Sequence, residues 1–102
     1  MDTQLKGKVA LVTGGSRGIG TAICKALAEE GMKVGINYRS SQEEAVALAK
    51  IINETYNEER AIILPGDMGK SEDISPLFSA LDEKWGGADI LVNNAAYCPS
   101  GP

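Results

Sequence analysis

A glycine-rich turn is the first feature of this sequence whose residue types suggest chemistry. The segment from Thr13 to Gly20 reads Thr-Gly-Gly-Ser-Arg-Gly-Ile-Gly, follows a short apolar run and leads into residues with helical spacing. Gly14 permits a sharp turn, Gly18 lets the main chain approach a pyrophosphate, and Gly20 lets a helix lie close to a sheet. The first N–H groups of that helix would face the phosphates, so the turn predicts a dinucleotide site. A glycine-rich turn with no ligand is the alternative, and a P-loop is excluded because no Gly-Lys-Ser/Thr follows.

A second chemical signal lies about 20 residues further on, at the end of the next predicted strand. An Asp or Glu there would bind the ribose 2′-hydroxyl of NAD, but this chain has Asn37. Arg39 and Ser40 follow and offer groups that suit a 2′-phosphate, and Arg17 in the glycine turn adds a second cation. We therefore expect NADP(H) as the cofactor, with NAD(H) less favoured. A solvated turn residue is the other interpretation of Arg39.

Polar residues also end the third and fourth apolar runs. Asp67 follows Pro65-Gly66 at the predicted carboxyl edge, where a carboxylate can accept a hydrogen bond from an exocyclic amine, and a plain turn role fits nearly as well. Asn93 and Asn94 end a predicted buried strand, and buried amides need partners. We expect these asparagines to cross-link the backbone of neighbouring loops and so to shape the pocket.

Composition disfavours several other classes of function. The chain contains no His, and Cys24 and Cys98 cannot form a Cys-x-x-Cys pair, so metal and Ser-His chemistry are not expected. A net charge of −4 is the wrong sign for binding nucleic acid. No segment approaches the roughly 20 apolar residues of a membrane span, and the first residues lack the basic start of a signal peptide, so we expect a cytoplasmic protein.

Strands alternate with helices along the 102 residues, which we assign to one domain with an irregular tail over 97–102. Short apolar runs predict strands over 8–13, 32–37, 61–64 and 89–94. Helical spacing predicts helices over 19–30, from 42 to about 56, and over 71–85, with Ser71 capping the third. The predicted apolar stripe of the first helix consists of Ile19, Ala22, Ile23, Ala26 and Leu27. This βαβαβαβ order predicts an α/β fold with a parallel sheet and right-handed crossovers.

Two motifs together carry a family resemblance over residues 5 to about 96. The glycine turn fits Thr-Gly-x-x-x-Gly-x-Gly, and Asn-Asn-Ala-Ala follows the fourth strand. The chain thereby resembles the short-chain dehydrogenase/reductase family, and most closely its 3-oxoacyl-acyl-carrier-protein reductases. The resemblance implies a partial Rossmann fold with strand order 3-2-1-4. The complete set of expected cofactor-binding residues is Gly14, Ser16, Arg17, Gly18, Ile19, Gly20, Asn37, Arg39, Ser40, Asp67, Met68, Asn94, Ala95 and Ala96.

The resemblance also assigns roles along the cofactor. It implies that the glycine turn and Arg17 hold the phosphates, and that Arg39 contacts the adenosine 2′ end. Asp67 and Met68 correspond to residues that touch adenine. The segment from Asn94 to Ala96 corresponds to the lining of the ribose and nicotinamide side. Ala96 stands where the family usually has Gly, and its extra methyl would crowd the cofactor.

The catalytic pair of the family is missing from these residues. Family members use a tyrosine acid with a lysine four residues later, a spacing that places both on one helical face. At that spacing, Tyr38, Tyr56 and Tyr97 are followed by Gln42, Arg60 and Gly101. The resemblance places the catalytic serine, tyrosine and lysine beyond the fourth strand. We therefore expect a truncated, cofactor-binding half of a carbonyl or 3-oxoacyl thioester reductase, inactive on its own.

The fourth strand is expected to keep an unpaired edge and a partly bare apolar face. A second copy of the chain or another partner is expected to cover that surface.

Two further interpretations of the function stay open. One is a non-catalytic dinucleotide-binding module that regulates through a partner chain, and the other is a structural α/β fragment whose loop is empty.

Overall fold

The computed structural model describes residues 5–14 and 17–94, and four strands alternate with three helices in this part of the chain. The strands are β1 (Val9–Thr13), β2 (Lys33–Tyr38), β3 (Ala61–Pro65) and β4 (Ile90–Asn93), and the helices are α1 (Gly18–Glu29), α2 (Gln42–Tyr56) and α3 (Ser71–Trp85). Every predicted element is present. The predicted bounds differ from the observed ones by no more than one residue at either end.

The four strands form one parallel sheet in the order β3-β2-β1-β4, which confirms the predicted topology. Leu11 of β1 pairs with Gly35 of β2 on one side and with Leu91 of β4 on the other. Because all strands run the same way, their carboxyl ends meet at one edge of the sheet. The order of the strands reverses between β1 and β4, and open α/β sheets bind ligands at such a switch point.

Each face of the sheet is covered by its own apolar layer. Helices α1 and α2 cover one face, where Cys24, Ala28, Leu48 and Ile52 pack with Val12, Val34 and Ile36. Helix α3 covers the other face and packs Leu77 and Leu81 against Val9, Leu11 and Leu64. These contacts hold the three helices against the two faces of the sheet.

The buried face of α1 differs from the predicted stripe. Its buried residues are Gly20, Cys24 and Ala28, whereas Ile19 is 73% exposed. Small side chains let a helix lie closest to a sheet, so the row of small residues takes the contact. Ile23 and Leu27 only pack at its margin.

The start of α3 also differs from the prediction, because Ser71 is not its cap. Lys70 precedes the first helical residue, and no side chain caps the helix. The Lys70 N–H donates to the Asp67 carbonyl at 2.9 Å, which closes a turn immediately before the helix. The helix therefore begins at Ser71 itself, one residue earlier than a Ser71 cap requires.

Strand β4 lies at the edge of the sheet in the described part of the chain, where it pairs with β1 alone. Asp89 fixes its start, because the Val9 N–H donates to Asp89 Oδ2 at 2.8 Å and the Asp89 N–H donates to the Val9 carbonyl at 2.8 Å. Leu91 is 52% exposed. The expected exposed apolar residue is thus present on this strand.

Candidate functional site

A cleft of about 840 Å³ lies along the carboxyl ends of the strands. Of the predicted cofactor-binding residues, it is lined by Gly14, Arg17, Asn37, Arg39, Ser40, Asp67 and Met68. Its other lining residues are Thr13, Tyr38, Gly66, Gly69, Lys70, Leu91 and Asn93. The sheet therefore brings together the glycine turn, the end of β2 and the loop between β3 and α3. Their part in cofactor binding stays a prediction.

The amino end of α1 lies at the wall of this cleft. Arg17, the residue before the helix, lines the cleft, and Gly14 and Gly18 have φ angles of 63° and 50° that favour glycine. The first N–H groups of a helix have no intrahelical acceptor. Helix α1 has no acidic residue in its first turn. The first turns of α2 and α3 carry Glu43, Glu44, Glu72 and Asp73. Unlike those helices, α1 leaves its positive end available to an anionic ligand.

Thr13 joins the ends of β1 and β4 beside the glycine turn. Its hydroxyl donates to Asn93 Oδ1 at 3.1 Å and accepts the Asn94 N–H at 2.9 Å. The Asn94 side-chain amide donates to the Gly14 carbonyl at 3.3 Å. The predicted cross-link to the backbone of a neighbouring loop is therefore present for Asn94. Asn93 instead accepts from the Thr13 side chain, and it is exposed and not buried as expected.

Asn37 holds the ends of β2 and β3 together. Its side chain is buried, and its amide nitrogen donates to the Leu64 carbonyl at 3.0 Å and to the Gly66 carbonyl at 3.1 Å. The prediction gave Asn37 the place of the ribose-binding acid at the end of β2. The strand instead continues to Tyr38, and the exposed polar side chains begin at Arg39. Asn37 thus lines the cleft, but its amide nitrogen already donates to main-chain carbonyls.

Arg39 and Asp67 face each other in the cleft, with 3.8 Å between Arg39 Nη1 and Asp67 Oδ2. The register explains this contact, because Tyr38 pairs with Pro65 and the chain leaves both strands side by side. The Arg39 side chain is 74% exposed and that of Asp67 is 26% exposed. Asp67 Oδ1 also accepts the Gly69 N–H at 2.8 Å, so the turn role predicted for Asp67 is present. The exposed Arg39 guanidinium can therefore change position, whereas the Asp67 carboxylate is held in place by its hydrogen bond to Gly69.

Several predicted residues lie elsewhere. Four of them follow the lining residues Arg17 and Asn93 along the chain but do not line the cleft themselves: Gly18, Ile19, Gly20 and Asn94. Ser16, Ala95, Ala96 and Cys98 lie outside the described residues. Lys70 was missed and adds a third cation to the lining. Its only signal was its place shortly after a strand end, which Arg39 shares.

Other kinds of site find little support in the part of the chain that the structure describes. No three His, Cys, Asp or Glu side chains there are grouped to hold a metal ion. Cys24 is buried, and burial raises the pKa of its thiol to about 12. A protonated, buried thiol packs as a core residue and is a poor nucleophile. Among the same residues, no helix has the length and apolar character needed to cross a membrane.

Comparison with known sequences identifies relatives of the whole chain. Residues 8–102 match the short chain dehydrogenase family. The chain is 39% identical over 102 residues to 3beta-hydroxysteroid dehydrogenase 1 of Eggerthella lenta, and the match covers 100% of this chain and 38% of that protein. It is 40% identical over 100 residues to a short-chain type dehydrogenase/reductase of Picea abies, and the match covers 94% of this chain and 37% of that protein. The chain spans less than two fifths of the length of these relatives.

Solved structures share the fold. L-sorbose reductase from Gluconobacter frateurii, complexed with NADPH and L-sorbose, matches with a TM-score of 0.85 and 34% identity over 94% of this chain and 36% of that chain. A short chain dehydrogenase from Burkholderia cenocepacia in complex with NADP matches with a TM-score of 0.85 and 44% identity over 97% of this chain and 40% of that chain. These matches confirm the predicted partial Rossmann fold. Together with the match over residues 8–102, they show that the chain belongs to the short-chain dehydrogenase/reductase family.

Proposed function

We propose that this chain binds NADP(H) as the cofactor-binding part of a carbonyl-reducing oxidoreductase. The observation that carries the proposal is the amino end of α1, which adjoins the cleft through Arg17 and has no carboxylate in its first turn. Main-chain N–H groups without intrahelical acceptors bind phosphate oxygens, and the helix dipole favours their negative charge. The NADPH and NADP bound by the Gluconobacter and Burkholderia proteins support the same assignment.

The rest of the cofactor would follow the cleft away from α1. With the diphosphate at the amino end of α1, the adenosine 2′ end lies by Arg39 and Ser40. Adenine lies by Asp67, whose carboxylate can accept a hydrogen bond from the exocyclic amine, and by Met68. The ribose and nicotinamide side extends towards Asn94 and the residues after it.

Charge supports NADP(H) over NAD(H). Among the described lining residues, the cations are Arg17, Arg39 and Lys70, and the carboxylate is that of Asp67. A guanidinium forms strong, paired hydrogen bonds with phosphate oxygens. NAD(H) carries a hydroxyl in place of the 2′-phosphate and would gain none of these charge-assisted bonds.

The proposed reaction needs groups outside the 102 residues. When bound, NADPH supplies a hydride to a carbonyl carbon. The alkoxide that develops needs a proton donor, which in the family is a tyrosine followed four residues later by lysine. No such pair occurs among the 102 residues, so we propose that they bind cofactor but turn over no substrate by themselves. The proposed substrate class is a ketone, with a 3-oxoacyl thioester as its favoured member.

A non-catalytic dinucleotide-binding module acting through a partner chain is the second candidate. Its support is the presence of the cofactor cleft without the catalytic pair among the 102 residues. The neighbouring coding sequence distinguishes the two, because a Tyr-x-x-x-Lys helix encoded after these residues supports the reductase. For either candidate, we propose that a second copy or a partner covers the unpaired edge of β4, and a monodisperse monomer of high thermal stability would contradict this.

Titration of NADPH into the 102-residue chain, followed by nicotinamide fluorescence, tests the proposed function. We expect saturable binding below millimolar cofactor. Gly18→Ala should raise the Kd about tenfold, because a Cβ at a φ of 50° strains the turn where the diphosphate lies. No fluorescence change at millimolar NADPH would leave only a structural fragment with an empty loop.

Gly86→Ala is the matched control for this titration. Gly86 has a φ of 83° and, like Gly18, has nothing within 4 Å of an added Cβ, but it ends α3, whereas Gly18 begins α1 directly after the cleft residue Arg17. It should lower stability to a similar degree and leave the Kd for NADPH unchanged. An equal loss of affinity in both variants would contradict the assignment of the diphosphate to α1.

A further inference from the structure

Asp67 places a negative charge beside Arg39, the residue proposed to meet the 2′-phosphate. The 3.8 Å between their nearest charged atoms is longer than a hydrogen bond. An ion pair whose guanidinium is exposed and whose charged atoms lie this far apart is weak, so a stronger ligand can displace it. A phosphate group is such a ligand, because its oxygens can accept two parallel N–H bonds from one guanidinium.

The carboxylate cannot easily withdraw from this contact. Asp67 Oδ1 accepts the Gly69 N–H at 2.8 Å, and the Asp67 N–H donates to Asp73 Oδ2 at 2.8 Å. The Lys70 N–H donates to the Asp67 carbonyl at 2.9 Å. These three bonds fix Asp67 in the loop before α3, whereas the exposed Arg39 side chain is free to move. A 2′-phosphate that recruits Arg39 must therefore compete with a carboxylate that stays in place.

We propose that Asp67 is a specificity-determining residue whose carboxylate competes with the 2′-phosphate for Arg39 and so limits the preference for NADP(H) over NAD(H). The inference rests on the proposed function and deepens it. A contact between Asp67 and adenine would be common to both cofactors, so it cancels from the ratio of their dissociation constants. Competition for Arg39 does not cancel, because NADH has no 2′-phosphate.

Asp67→Asn tests this role with little disturbance of the loop, because the asparagine oxygen can still accept the Gly69 N–H. We expect the ratio of the Kd for NADH to the Kd for NADPH to rise about two- to fivefold at low salt, the range typical of exposed ion pairs. Glu72→Gln is the matched control. It makes the same change in charge at an exposed residue of α3 that does not line the cleft, and it should leave the ratio unchanged.

A double-mutant cycle with Arg39→Gln shows whether Asp67 acts through Arg39. In the Arg39→Gln background, Asp67→Asn should no longer raise the ratio. A gain of the same size in that background, an equal gain from Glu72→Gln, or no gain from Asp67→Asn alone would each overturn the inference. These outcomes all require that the unchanged chain binds NADPH. If it binds none, the proposed function fails and this inference fails with it.

Discussion

At the scale of single residues, the polar side chains at the strand ends have two different tasks. Asn37 and Asn94 hold main-chain groups of neighbouring loops. Arg39 and Ser40 are exposed and line the cleft. The sequence predicts that all four lie near the carboxyl edge, because glycine turns and strand ends have local patterns. It could not predict which are already hydrogen-bonded, since the Asn37 and Asn94 contacts cross 27 to 81 residues of chain.

Arg39→Glu tests the cofactor preference at this scale. It should raise the Kd for NADPH about tenfold to hundredfold, because charge-assisted hydrogen bonds to the 2′-phosphate are replaced by repulsion. The Kd for NADH should rise far less. Both constants are measured by fluorescence titration. Lys50→Glu, the same charge reversal at an exposed residue of α2 outside the cleft lining, is the control. Equal losses for NADPH and NADH would remove the argument for Arg39.

At the scale of elements, the sequence predicts which segments are strands and helices because apolar spacing is strong in all seven. It does not predict the buried face of α1. Gly20, Cys24 and Ala28 take the sheet contact because closeness of approach outweighs the larger apolar area of Ile19. Gly35 in β2 shows the same effect on the opposite face. An added Cβ there would lie 2.7 Å from Leu64 Cδ1 and 3.1 Å from Leu81 Cδ2, so the bare glycine admits α3.

Gly35→Ala tests this close packing. It should lower the free energy of unfolding by about 1 to 3 kcal/mol, measured by urea denaturation, because the new methyl overpacks the layer under α3. Leu64→Val removes the terminal carbon that the methyl would meet. In the Leu64→Val background, Gly35→Ala should therefore cost less than it does alone. Strictly additive effects, or an increase in stability from Gly35→Ala, would contradict the packing described here.

At the scale of the whole molecule, the cleft is a product of the strand order. The alternation of strands and helices predicts a parallel sheet, and the family resemblance supplies the order 3-2-1-4 that the structure shows. With that order, loops distant in sequence reach one edge of the sheet, where residues of the glycine turn and of the loop that contains Asp67 line the same cleft. The place of Lys70 in the lining could not be predicted, because it depends on how the loop before α3 folds back over that edge.

Mapping of backbone amide NMR shifts during titration with NADP⁺ tests most directly whether the diphosphate lies at the amino end of α1. The largest shifts should fall on Arg17, Gly18 and Ile19. The amides of Gly7 and Gly31, which lie with the amino ends of the strands at the opposite edge of the sheet, should not move. Saturable binding with no shift at Gly18 and Ile19, or with shifts confined to the opposite edge, would contradict the assignment.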